Sequence, residues 1–424
     1  MFVKQTVKGM RDILPAENEI REYLLGLLKS TYRSFGYSLI ETPCMEHIEN
    51  LTSRQGGENE KLIFKILKRG EKLDSALAGN ENDLVDSGLR YDLTVPLARY
   101  YANNAGSLPL PFKAMQIGPV WRADRPQKGR FRQFTQCDID ILGDPGCTAE
   151  IELIHATTTF LGKAGVRGCT VHINDRRLLK ALMDHCGFPE ASHGEVLIIL
   201  DKFDKIGADG VRKELLDAGF DGEAVARYCD FSATLGQAPD ALAFCGGILK
   251  DTLPEGVAEN LEVIISTVKE LAENSDTRFV FDPSLVRGMG YYTGTIFEIR
   301  AESFKGISIA GGGRYDKMIG KYVGTDVCAC GFSIGFERMI GALVEGGFRI
   351  PGRASKTAVL YRRSFTPHEV AALHKAFAKR REAGECILIQ QMNKNLGFQK
   401  KQLTDHGCTV VEIGSLEDLS KIPE

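Results

Sequence analysis

Residues 112–142 constrain the fold more than any other stretch of this 424-residue chain. Runs at 112–122 and 130–142 have the composition of two strands. The short polar turn Asp124 to Gly129 between them is the connection of an antiparallel pair. Side chains alternate along a strand, so Arg130, Arg132, Phe134, Gln136, Asp138 and Asp140 share one face. Phe131, Gln133, Thr135, Cys137 and Ile139 share the other. Two arginines, an aromatic ring, an amide and two acids in one row cannot all be core. The row is either a solvated sheet edge or a flat ligand platform. As a platform, its arginines neutralise phosphate oxygens with bidentate geometry. Phe134 supports a flat ring by stacking, and the distal acids hold a cation or an ammonium.

Around this pair the chain reads as α+β. Apolar positions recur at helical spacing over 16–35, and a strand at Phe35–Ile40 is closed by Pro43. Residues 48–90 read as loops plus a hairpin about Leu62–Leu67. Helices are expected at 93–102 and 149–164, strands at 279–281, 291–299 and 307–310, and a helix at 333–346. The stretch 172–262 differs in texture, with helical periods at 175–186 and 211–217, and reads as a helical insertion. The expected organisation is a catalytic domain of residues 1–171 and 263–345, the insertion 172–262, and a linker at 346–353. A small C-terminal α/β domain follows at 356–424. Antiparallel pairs with few alternating helices argue against a Rossmann sheet. Neither a Gly-x-Gly-x-x-Gly after a strand nor a Walker lysine loop occurs, so a nucleotide must be met by side chains on a sheet.

Composition narrows the function class. Hydrophobic residues at 43% and charged residues at 26% suit an ordinary soluble globular protein, and a net charge of −3 gives no global attraction to nucleic acid. In 356–424, however, Lys and Arg outnumber Asp and Glu by 11 to 8, a weak pointer to a polyanion or simply a solvated surface. The 11 cysteines form no Cys-x-x-Cys pair, and the eight histidines show no His-x-x-x-His, so they suggest neither a disulfide framework nor a bound metal. No stretch reaches the ~20 apolar residues that span a bilayer, and the N-terminus has no signal peptide character; the expected compartment is the cytoplasm.

Three further clusters carry polar groups in unusual settings. In Arg90-Tyr91-Asp92-Leu93-Thr94, the acid and the hydroxyl are either a helix N-cap or a grip for an α-amino group. Arg287 lies in the Gly-rich run Leu285 to Gly294. Burying it requires an anion, either a structural carboxylate or a ligand. Gly311 to Asp316, and Gly331 to Arg338, are glycine-rich segments ending in charged residues.

Taken jointly, these segments resemble the histidyl-tRNA synthetase family of class II synthetases, in order and across essentially the whole chain. Gly118–Phe134 resembles motif 2, Gly331–Arg338 motif 3, and Phe35–Pro43 motif 1 with its dimer-interface proline. Leu285–Thr293 resembles the histidine-specific segment, Lys8–Asp12 the N-terminal signature, and Gly311–Asp316 the GGRYD segment. The resemblance implies activation of L-histidine by ATP with Mg2+ to histidyl-adenylate, transfer to tRNA(His), and a homodimer.

Matched position by position, the resemblance also assigns residues. Arg287 and Arg122 are catalytic. Asp92, Thr94, Arg122, Gln136, Asp140, Arg287, Tyr291, Tyr292 and Tyr315 bind histidine. Arg122, Asp124, Arg130, Arg132, Phe134 and Arg338 bind ATP, with Phe134 and Arg338 on the two sides of adenine. The sequence departs from the family pattern twice: Gly290 stands where an acid is common, and the anticodon-binding domain is shorter than usual. The alternative is a paralogue of the catalytic body, the regulatory subunit of ATP phosphoribosyltransferase. That paralogue typically lacks the catalytic arginines present here.

Overall fold

The computed structural model describes residues 2–52, 61–79, 84–127, 129–287, 291–304, 306–352 and 356–421. They form two compact units, residues 1–13 with 21–347, and residues 14–20 with 348–424.

In the first unit, α1 (Pro15–Ser34) buries Leu24, Leu28, Thr31 and Tyr32, the positions that its helical period brings to one side. It stops at Gly36, whose φ of 84° no β-carbon-bearing residue adopts readily. There follow β1 (Ser38–Ile40), β2 (Met45–His47), α2 (Ile48–Leu51), β3 (Lys65–Leu67), α3 (Glu71–Leu77), β4 (Val85–Leu89) and α4 (Thr94–Asn104). The central hairpin is β5 (Phe112–Trp121) and β6 (Gln133–Leu142), paired from Phe112↔Leu142 to Trp121↔Gln133. After α5 (Thr148–Lys163) and β7 (Cys169–Asp175) comes a helical run: α6 (Arg176–Cys186), α7 (His193–Leu200), α8 (Phe203–Asp217), α9 (Gly222–Leu235), α10 (Ala241–Ile248) and α11 (Val257–Leu271). The unit closes with β8 (Arg278–Phe281), β9 (Thr295–Ala301), β10 (Ser308–Arg314), α12 (Asp316–Val323), β11 (Ala329–Gly335) and α13 (Phe336–Glu345).

The main sheet has eight strands in the order β1-β5-β6-β11-β10-β9-β7-β8. Every pair from β5 to β7 is antiparallel, and only the outer pairs β1–β5 and β7–β8 are parallel. Antiparallel neighbours dominate, as the sequence leads one to expect. The parallel pair β7–β8 requires a long crossover, and the helical run supplies it. That run spans Arg176 to Leu271, displaced from the expected 172–262, because His172–Asp175 belong to β7 and pair with β9. Three other expectations shift. The region 48–90 supplies two strands of a small antiparallel sheet, β2-β4-β3, rather than a lone hairpin. The strand expected at 291–299 begins at Thr295, and Ser333–Gly335 end β11 before the helix starts at Phe336.

In the second unit, β12 (Lys356–Tyr361) is the middle strand of a parallel sheet with β13 (Cys386–Gln391) and β14 (Cys408–Ile413). The connecting helices are α14 (Pro367–Ala376), α15 (Ala378–Glu382) and α16 (Leu396–Asp405). Thr366 and Glu369 form a reciprocal capping box at α14, and Leu373 and Phe377 are buried beneath its basic face. Lys400 is paired with Glu412 and Arg380 with Glu385, so these two cations already have carboxylate partners.

Candidate active site

An open cleft with a cavity volume of about 230 Å3 lies on one face of the main sheet. Its floor follows from strand register. From β6, Phe134, Gln136, Asp138 and Asp140 point into it, at alternate positions. Across from them on β11 stand small residues, with Gly331 opposite Asp140, Ser333 opposite Asp138, and Gly335 opposite Gln136. A β-carbon on Gly331 would lie 2.0 Å from Asp140 Oδ1, so only glycine leaves room for that carboxylate. The same holds on β10, where a β-carbon at Gly311 would lie 2.3 Å from the Arg287 guanidinium.

Three buried aspartates gather in the cleft, Asp92, Asp138 and Asp140, while buried Glu337 at its rim is already paired with Arg21. The two oxygens of Asp92 differ in their surroundings. Its Oδ1 accepts the Val95 amide at 3.1 Å, capping α4, while its Oδ2 is buried with no hydrogen-bond donor among the described residues. The Tyr315 hydroxyl donates to Asp140 Oδ1 at 2.5 Å, and Asp140 Oδ2 has no such donor. Gln136 donates its amide nitrogen to Ser333 Oγ at 2.9 Å and toward Asp138, so its oxygen is left as an unmatched acceptor. Burial pushes the Asp140 carboxyl up to about 7, against the lowering effect of the Tyr315 bond. Burial also raises Asp92, and raises Asp138 far above the carboxylate range, with Asp140 adding to the latter. Buried acids with unmatched acceptors suit a ligand rich in N–H donors, such as an ammonium with a ring N–H.

The raised Asp140 has a measurable consequence. The folded protein holds this proton where the unfolded chain has released it, so stability falls as pH rises from about 4 to about 7. Asp140→Asn removes that penalty. Between pH 5 and pH 8 its stability advantage over the wild type is expected to grow by roughly 2–3 kcal/mol, at 1.36 kcal/mol per pKa unit. Denaturant unfolding of both proteins at the two pH values checks this; a constant difference would show that Asp140 titrates normally.

The arginines form a second group. Arg338 lines the cleft and donates to the Ser308 carbonyl at 2.9 Å. Burial lowers its pKa, and the nearby Arg130, Arg122 and Arg287 add to the effect, which is the electrostatics of an anion site. Arg122 donates to the Tyr91 carbonyl at 2.9 Å and lies 5.2 Å over the Phe134 ring. Arg287 pairs with Glu298 at 2.9 Å, and Glu298 also accepts from Arg300 at 2.8 Å. Arg287 has φ 58°, the one positive φ among described non-glycine residues, a strain of about 1–3 kcal/mol that clusters at functional sites.

Of the expected site residues, Asp92, Thr94, Arg122, Asp124, Arg130, Phe134, Gln136, Asp140, Arg287, Tyr291, Tyr292, Tyr315 and Arg338 all line this cleft. Arg132 does not. β6 begins only at Gln133, so strand alternation does not reach residue 132. Its guanidinium instead donates to the Asp124 carbonyl at 3.1 Å and the Lys8 carbonyl at 3.5 Å, bracing the N-terminal segment. Gly290 lies outside the described residues. Ser333 and Glu298 were not anticipated; their roles depend on cross-strand register and on a fold-back that no local pattern encodes.

The model for the family described as histidyl-tRNA synthetase matches residues 9–339. The histidine–tRNA ligase of Leifsonia xyli subsp. xyli is 48% identical over 343 residues, 78% of each chain. The chain belongs to the histidyl-tRNA synthetase family. Among solved structures it is similar to the histidyl-tRNA synthetase of Nostoc sp. PCC 7120, at 26% identity with a TM-score of 0.76, over 97% of this chain and 92% of that one. It also shares its fold with a Bacillus halodurans C protein described as an ATP phosphoribosyltransferase regulatory subunit/histidyl-tRNA synthetase, at 20% identity and a TM-score of 0.77, over 98% and 99% of the two chains. For a histidyl-tRNA synthetase family member, the acid cluster and the arginine cluster are the two halves of one cleft.

Proposed function

We propose that this chain is a class II histidine–tRNA ligase that forms AMP and pyrophosphate. In the first step a carboxylate oxygen of L-histidine attacks the α-phosphorus of ATP, and the bond to pyrophosphate breaks. In the second, the terminal ribose hydroxyl of tRNA(His) attacks the activated carbonyl and AMP leaves. The observation that carries the reading is the meeting, in one cleft, of three buried aspartates with an arginine group of Arg122, Arg130, Arg287 and Arg338. Asp92 and Thr94 would hold the α-ammonium, and Asp140, oriented by Tyr315, would fix the imidazole N–H and its tautomer. Arg122 and Arg287 would meet the α-phosphate, with Arg287 acting on charge that develops there. Phe134 and Arg338 would flank adenine, while Asp124 and Arg130 line the phosphate side. No group of three His, Cys, Asp or Glu among the described residues gathers to hold a metal ion. Mg2+ would enter as part of the MgATP substrate, ligated chiefly by phosphate oxygens and water. ATP–pyrophosphate exchange tested with each of the twenty amino acids checks the reading. Exchange with histidine alone is expected; none with any would favour the regulatory paralogue, against which the retained arginines speak.

The homodimer is part of the same proposal. β1 is an edge of the main sheet, and Leu39, Met45, Leu67 and Leu110 are exposed apolar residues on β1, β2, β3 and the segment leading to β5. An open edge with apolar neighbours suits self-association. Buried Arg90 donates to the Thr42, Pro43 and Pro119 carbonyls, tying the segment after β1 to the strand that leads into the cleft. Light scattering at micromolar concentration is expected to give twice the mass of the chain; a monomer with full exchange activity would refute the dimer requirement. The unit holding 356–421 is proposed as the anticodon-binding part, its Lys394 before α16 and Lys401 on α16 meeting phosphates and its Gln390, Gln391 and Asn393 reading bases. A tRNA affinity indifferent to salt would count against it. No helix among the described residues is long and apolar enough to cross a membrane, and the proposed compartment is the cytoplasm.

A further inference from the structure

The segment that carries Arg287 is held from an unexpected quarter. Asn174, the next-to-last residue of β7, has no exposed surface, yet it pairs with no polar side chain among the described residues. Its amide nitrogen donates to the Leu285 carbonyl at 2.9 Å and to the Pro283 carbonyl at 3.3 Å. Two residues on, at the start of α6, Arg176 donates to the Val286 carbonyl at 3.4 Å. Asp282, at the head of the same segment, donates its amide to the Ile173 carbonyl at 2.8 Å, and its carboxylate accepts from His172 at 2.8 Å. Three of the four carbonyls from Pro283 to Val286 are thus fixed by one strand end, immediately before a residue whose backbone is left-handed.

A buried amide that hydrogen-bonds only main-chain carbonyls has one structural effect, to fix where that main chain runs. Here the main chain leads into the guanidinium that stacks against Gly311 and pairs with Glu298. We infer that Asn174, supported by Arg176, is a positioning residue for Arg287, holding the 283–286 segment so that the arginine stays in its left-handed conformation and aimed into the cleft. The inference rests on the reading of Arg287 as the catalytic arginine. It also has a geometric corollary. β7 and β8 are the strands from which the helical run α6–α11 leaves and to which it returns, so the root of that module and the bracing of Arg287 are the same few residues.

The test uses the full chain and histidine-dependent pyrophosphate exchange, scaled to active sites by titration. Asn174→Ala is expected to lower kcat by about 10- to 100-fold, the penalty of a small displacement of a reacting group, with KM for histidine and ATP changed little. Arg176→Gln, a milder change, is expected to move kcat in the same direction by less, and serves if Asn174→Ala does not fold. In an Arg287→Ala background, Asn174→Ala is expected to have almost no further effect. An unchanged kcat in both variants would overturn the inference. So would a loss of equal size with and without Arg287, since that marks Asn174 as merely structural. Near-normal exchange by Arg287→Ala alone would instead defeat the catalytic reading of Arg287, and the inference with it.

Discussion

Arg287→Ala should lower histidine-dependent pyrophosphate exchange by a factor of about 10²–10³ while leaving ATP binding nearly intact. The expectation rests on where the charge sits. The guanidinium is tethered to Glu298 at 2.9 Å, and Glu298 is also held by Arg300. Burial works to raise the Glu298 carboxyl, but Arg287 and Arg300 together keep it below its usual range. The arginine is thus a cation fixed before substrate arrives, on a backbone that is itself strained at φ 58°. A preorganised donor of this kind contributes mainly to charge that develops in the transition state, about 3–4 kcal/mol. On the proposed reading, ground-state binding of ATP is shared with Arg122, Arg130 and Arg338, so its dissociation constant should move little. Arg287→Lys keeps the charge but loses the fork, and is expected to recover only part of the rate. Exchange within threefold of wild type for Arg287→Ala would remove the residue from the chemistry.

What the sequence made legible follows strand boundaries closely. Gln136, Asp138 and Asp140 were placed on one face because β6 is a true strand from Gln133 onward, and period-two alternation is a local property. Arg132, one residue before the strand begins, does not line the cleft. Register across strands is a different matter. That Gly331 and Ser333 sit opposite Asp140 and Asp138 depends on β11 pairing with β6 across almost 200 residues. The start of the helical run was misjudged because His172-Ile173-Asn174-Asp175 is too polar to read as a buried strand. Asn174 and Asp175 have no exposed surface, and their partners come from the fold: the Pro283 and Leu285 carbonyls for the Asn174 amide nitrogen, and Thr295 with neighbouring Arg177 for Asp175. Polar burial of that kind cannot be inferred from composition, since Pro283, Leu285 and Thr295 lie more than 100 residues away and only Arg177 is local. The family resemblance located Arg287 and Tyr315. The bonds that orient them, to Glu298 and Asp140, come from the folded structure.

Glu150→Ala should destabilise the first unit by about 3–5 kcal/mol, more than any single change in the cleft. Glu150 lies in the first turn of α5, and its side chain is only 3% exposed. It meets the Arg314 guanidinium with two bonds of 2.7 Å each, and Arg314 is 9% exposed. Arg314 further donates to the Asp144 and Gly146 carbonyls, at 3.0 and 2.7 Å. Among the described residues, every other hydrogen bond of that guanidinium is to a neutral carbonyl or to the more distant Asp316 at 3.4 Å. Removing Glu150 therefore leaves a buried cation without its counter-ion, the situation that costs about 3–5 kcal/mol. The attraction itself is not the source of stability, because desolvation of both ions offsets most of it. The double change Glu150→Leu with Arg314→Met should accordingly recover most of the loss. The pair also matters to the cleft, since Tyr315 follows Arg314 directly and carries the hydroxyl that orients Asp140. Histidine affinity should therefore fall in Glu150→Ala, and it should return with the double variant only if Tyr315 is restored to place. Trp121, the one tryptophan of the chain, lies at the end of β5 and reports unfolding of this unit by fluorescence. A loss under about 1 kcal/mol in Glu150→Ala would mean that water or Asp316 neutralises Arg314, and that the pair does not anchor the turn carrying Tyr315.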